Sequence, residues 1–307
     1  MMRISVFIYI VTNILLVQIL ASDNVQLNHF IQLSCLVGIL TLGLAHGAID
    51  DILYKKNNDS INKTDFILKY LVAILSYFGL WILVPNAALI LFLLLSGYHF
   101  GQAQFAMYNF RSNKTNKLLN TSWGMMIILL LFYFNKELLL ESASFFPAIP
   151  TSLSWMLLNS TSLLAISCIV FCSVILDKYF KKEIKGEAIL FEIFLIGLTT
   201  FSFKLFDPFI SFSLFFIIIH SIETLTHEFD YFKTSLGIKK LRNFIKSLIP
   251  FTVISVIGIG LILTMMSYFG YYNYLPFVIL ILISSITAPH SFIMNEFYSS
   301  ELKSNSN

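Results

Sequence analysis

The sequence predicts an all-α polytopic transmembrane helix bundle of about ten spans, one integral membrane domain over residues 1–307, with both termini cytoplasmic. Three observations predict it. Of the residues, 57% are hydrophobic and only 12% charged, against about a quarter charged in soluble domains. The mean hydropathy is +0.80. The basic residues, finally, gather on one of the two sides that such a bundle would have.

Runs near the twenty or so residues needed to cross the hydrocarbon core lie at 4–20, 29–46, 66–84, 86–107, 121–139, 161–178, 187–206, 209–227, 246–269 and 272–296. Polar or proline-containing breaks separate them, such as Val84-Pro85-Asn86 and Asp207-Pro208. The first run, behind Arg3, also fits a secretory signal ending near Ala21. A first span agrees better with the charges downstream.

With the N-terminus inside, the inner segments hold Arg3, Lys55, Lys56, Lys63, Lys69, Arg111, Lys114, Lys117, Lys178, Lys181, Lys182, Lys185, Lys233, Lys239, Lys240, Arg242, Lys246 and Lys303. Only Lys136 and Lys204 fall outside. Cytoplasmic loops gather Lys and Arg in this way, and a miscounted span would scramble the pattern. The net charge of +3 is too small to imply nucleic acid. Cys35, Cys168 and Cys172 fall in spans and imply packing, with no disulfide framework.

Four histidines stand in apolar surroundings: His46, His99, His220 and His290. An imidazole in hydrocarbon is costly without a partner. Each lies late in an even-numbered span, so all four fall at similar depth in the cytoplasmic half of the bilayer. One buried metal site explains that agreement. Neutral imidazole suits Fe(II), Zn, Cu and Ni. An all-nitrogen site in an apolar shell suits a redox metal open to O2, whereas zinc hydrolysis needs water and a general base. Asp50, four residues after His46, is placed to hydrogen-bond that ring if the helix continues, and Asp51 is a second candidate. Glu223 is one turn beyond His220. His29 sits at an interface, and His227 is two turns from His220. Tyr98, Phe100 and Phe105 are candidates to line a tunnel for a long apolar substrate.

These motifs resemble those of the Brp/Blh membrane proteins, the β-carotene 15,15′-dioxygenases that make retinal for microbial rhodopsins. His46-Gly47-Ala48-Ile49-Asp50 looks like that family's His-Gly-Ala-x-Asp element, and Ser96-Gly97-Tyr98-His99-Phe100-Gly101 resembles its Ser-x-x-His-Phe-Gly element. His220-Ser221 looks like the start of its His-Ser-x-x-x-His pair, and Pro289-His290 like its C-terminal Pro-His. The resemblance implies a non-haem Fe(2+) enzyme of the inner (plasma) membrane. It would use O2 to cleave β-carotene or a similar carotenoid at its central double bond, with a rhodopsin as acceptor of the retinal. His46, His99 and His220 match ligand positions. The departure is Thr224, which stands where the family has a second histidine. His290, Glu223 or His227 then completes the site, or the metal has three protein ligands, or this member has changed its substrate or lost its activity.

Two other classes stay open on sequence: a transporter whose histidines relay protons or pass a metal ion, and a bis-histidine haem protein. No inverted repeat supports the first. The second leaves two histidines unexplained.

Overall fold

The computed structural model describes residues 3–21, 24–57, 62–108, 110, 113–144, 150–235, 237, 240–271 and 274–304. Arg111 and Lys239 of the charge pattern, and the first residues of the run at 272–296, lie outside them. All regular structure among the described residues is helical. Nine of these helices are long and apolar enough to cross a membrane, and Ile4–Leu20 is a shorter apolar helix of 17 residues. The chain is a multi-pass membrane protein.

Two compact units make up the chain. The first comprises residues 1–49 and 187–256. Here α1 (Ile4–Leu20) buries Ser5, Tyr9 and Asn13 along one face, the four-residue spacing that stacks side chains on a helix. Asn24 caps α2 (Val25–Gly38) by accepting from the amides of Gln26 and Leu27. The helix then widens into a π-helical turn over Ile39–Gly43, so the predicted span 29–46 ends before His46, which lies in the turn that follows.

The single run predicted at 209–227 is likewise composite. Its start is fixed by Pro208 and by Asp207, which accepts from the amides of Phe209 and Ile210. It proceeds through α-helix Pro208–Leu214, a π-helical stretch Phe215–Ser221, and α-helix Ile222–Ser235. The two π-helical stretches pack on each other, and glycine permits the approach. A Cβ on Gly38 would stand 2.6 Å from Ile217 Cδ1, and one on Gly43 would stand 2.7 Å from Phe216 Cε1. Wide turns of this kind are frequent at functional sites.

The second unit comprises residues 50–186 and 257–307. Counting onward along the chain, it holds α3 (Asp50–Asn57), α4 (Lys63–Leu83), α5 (Pro85–Phe105), α6 (Asn113–Phe134), α7 (Lys136–Ser144), α8 (Thr151–Leu158) and α9 (Ser160–Phe180). After α10 (Gly186–Leu205), α11 (Pro208–Leu214), α12 (Ile222–Ser235) and α13 (Leu241–Tyr268), the chain ends in α14 (Leu275–Ser304). The predicted span at 121–139 begins earlier, at Asn113, and the short helices α7 and α8 follow it.

Backbone contact between α5 and α6 organises this unit. Gly97 and Gly101 lie one turn apart on α5, and Gly124 faces them from α6. A Cβ on Gly101 would meet the Asn120 carbonyl oxygen, and one on Gly124 would stand 1.8 Å from that of Gly97. In lipid, helices associate through such close packing of small residues and through hydrogen bonds. Ser167 of α9 donates to the Ser122 carbonyl of α6 at 2.7 Å. The Trp81 indole of α4 donates to Ser284 of α14 at 2.7 Å. Helix α14 packs on α3, α4 and α5, and this arrangement brings His290 beside His99.

Candidate metal centre

Each unit builds a pair of buried histidines. In the first unit, His46 is held in the short turn after the π-helical stretch, where Gly47 and Ala48 donate to the carbonyls of Leu44 and Ala45. His220 is carried by the second π-helical stretch. The two rings stand perpendicular with centroids 5.1 Å apart, a separation from which both can offer a nitrogen to one ion. Phe216 backs both. It stacks on His220 at 5.4 Å and meets His46 edge-on at 5.8 Å.

In the second unit, His99 of α5 and His290 of α14 have ring centroids 4.9 Å apart at 82°. Pro289 leaves the Ser285 carbonyl without its helical amide donor. His290 Nδ1 lies 2.9 Å from Asp50 Oδ1, and the Tyr70 hydroxyl donates to Asp50 Oδ2 at 3.0 Å. An ionised carboxylate only accepts, so toward it His290 donates from Nδ1, and Nε2 is the nitrogen turned from Asp50. Burial pushes the Asp50 carboxyl up from its ordinary value, against the opposing pull of His290 and Tyr70.

The donor set suits a metal ion. All four imidazoles are buried, at 2–6% exposure. Imidazole nitrogen is a donor of the kind preferred by Fe(II) and its neighbours.

The remaining candidates fall elsewhere. The carboxylate of Asp50 is on His290. Helix α2 stops short, and α3 starts anew at Asp50. Asp51 pairs with Lys63 at 3.0 Å. Glu223 accepts from the Ser5 hydroxyl. Thr224 is fully buried and donates to the His220 carbonyl at 2.9 Å, so its hydroxyl is occupied by its own helix. His29 is exposed and His227 half-buried. Of the tunnel candidates, Tyr98 donates to Asn295 at 2.7 Å, and Phe105 packs among Tyr108, Phe110 and Trp123. Tyr70 was missed by sequence reasoning because nothing local distinguishes it from the other interfacial tyrosines.

Residues 37–298 match the family described as beta-carotene 15,15′-dioxygenase. The chain belongs to that family. The match encloses His46, His99, His220 and His290 together with Asp50 and Tyr70. No curated protein and no solved structure matches the chain.

Proposed function

We propose that this protein is a non-haem iron dioxygenase of the plasma membrane that cleaves β-carotene, or a closely similar carotenoid, at its central double bond to give retinal. The observation that carries the reading is the coincidence of the family match over residues 37–298 with buried pairs of imidazoles at its motif positions. His46, His99 and His220 are the buried set able to bind the metal, with His290 as the fourth ligand.

Bound there, ferrous iron would supply the redox chemistry by which O2 reacts with a carbon–carbon double bond. The protein's own groups do the rest. Neutral imidazoles hold the ion without adding charge to an apolar interior. Phe216 fixes the ring planes of His46 and His220, and Asp50 fixes that of His290. The many apolar spans give a hydrocarbon substrate access from the bilayer.

Expression in a β-carotene-accumulating bacterium, with chromatography of the extracted pigments, tests the reading. Loss of carotene with appearance of retinal, dependent on His46, is expected. Unchanged carotene in cells holding the folded protein overturns it.

A further inference from the structure

Asp50 is the first residue of α3, buried, and its two oxygens divide their work. Oδ1 takes His290 Nδ1 at 2.9 Å, and Oδ2 takes the Tyr70 hydroxyl at 3.0 Å. Three elements are joined through one carboxylate: α3, α4 and α14. The same short segment that places Asp50 begins at His46, four residues upstream.

We propose that Asp50 and Tyr70 are positioning residues that lock His290 as an Nδ1–H donor and so present its Nε2 as a metal ligand. The proposal rests on the reading of His290 as a ligand and adds what makes it one in this chain. Metal-binding histidines characteristically give their second ring nitrogen to a carboxylate, which sets tautomer and orientation and raises ligand basicity. Asp50 does this across 240 residues of sequence. Tyr70 is needed because a carboxylate held by one contact can swing about its Cβ–Cγ bond. The phenol on the second oxygen stops that rotation.

The test uses the full-length protein in detergent, stripped of metal and titrated with ferrous ion under anaerobic conditions. The readouts are ferrous affinity and the electron paramagnetic resonance line shape of the nitric oxide adduct. Asp50→Ala is expected to weaken ferrous binding by about ten- to a hundredfold and to change the line shape. Asp50→Asn, whose amide oxygen still accepts from Nδ1, recovers part of the loss. It also serves as the folded comparison if Asp50→Ala proves unstable. Tyr70→Phe gives a smaller loss in the same direction.

Because Asp50 acts through His290, adding Asp50→Ala to His290→Ala should cost nothing further. Wild-type affinity and line shape in both Asp50 variants overturn the proposal. So does a double variant that loses the full factor of each single one, since Asp50 would then act elsewhere. A wild-type protein that binds no ferrous ion sinks the iron reading itself. Intact ferrous binding and carotene cleavage with unaffected Asp50 variants sinks this inference alone.

Discussion

Gly101 of α5 lies against Asn120 of α6 so closely that a Cβ added to the glycine would stand 2.0 Å from the asparagine carbonyl oxygen. No side-chain rotation relieves a clash with backbone, so the helices must separate. Since α5 carries His99 on the same rigid cylinder, that contact fixes the depth and rotation of a candidate ligand.

Gly101→Ala should therefore destabilise the protein by at least the 1–3 kcal/mol typical of overpacking. Gly79→Ala, at a position with nothing within 4 Å, should be neutral or mildly stabilising. Thermal unfolding in detergent checks both. Equal melting temperatures for the two variants would show that the α5–α6 backbone contact is not as close as described.

His46→Ala and His99→Ala each remove one imidazole from a different unit. Each should abolish iron retention and retinal formation while leaving the protein in the membrane fraction. His29→Ala, at an exposed position, should change neither. Metal analysis of the purified variants, beside pigment chromatography, separates loss of metal from loss of fold. Normal retinal production by the first two would remove the metal centre from the reaction.

Thr224→Val tests whether the hydroxyl at the departing motif position touches the metal. It donates to its own helix carbonyl at 2.9 Å, and such back-bonds contribute little to a helix. Iron content and turnover should stay within twofold of wild type. A tenfold loss of iron would make Thr224 a ligand and displace His290 from that role.

Lys178 is 1% exposed, bonded to Asn116 and to Glu183 at 3.0 Å, and set 3.9 Å above the Phe110 ring. Removing one partner of a buried pair strands the other charge, at a cost of about 3–5 kcal/mol. Lys178→Met should fall near the lower end, because Glu183 keeps some solvent contact. Adding Glu183→Gln should restore part of the stability. If the double variant melts lower than the single one, Glu183 is stabilised by something other than Lys178.

The transmembrane helices were legible in the sequence because apolar runs and the sidedness of Lys and Arg depend on composition alone. The start of α6 was not. Lys114, Asn116, Lys117 and Asn120 make its first turns look like loop, although Asn120 packs against Gly101. The π-helical stretches were invisible for a different reason: an extra residue per turn leaves the apolar pattern almost unchanged. Four buried histidines could be picked out because imidazole is rare among such residues. The Asp50–His290 pairing could not, since only the packing of α14 on α3 brings those residues together.

Phe216 offers the sharpest test of how the first pair of imidazoles is held. Its ring stacks on His220 with an interplanar angle of 23° and presents an edge to His46. The absence of a Cβ on Gly43 makes room for it. It touches both rings yet offers no ligand atom, so its effect on a metal comes through how it orients and packs those rings. Phe216→Ala removes the ring that backs both imidazoles, and should lower ferrous affinity and turnover together. Phe216→Leu keeps most of the volume while losing the flat face, and should retain folding stability within about 1.5 kcal/mol. Ferrous titration and thermal unfolding on both variants separate the two contributions. Loss of metal affinity in Phe216→Leu with little loss of stability would assign Phe216 to ring orientation. Parallel loss of both would reduce it to core packing.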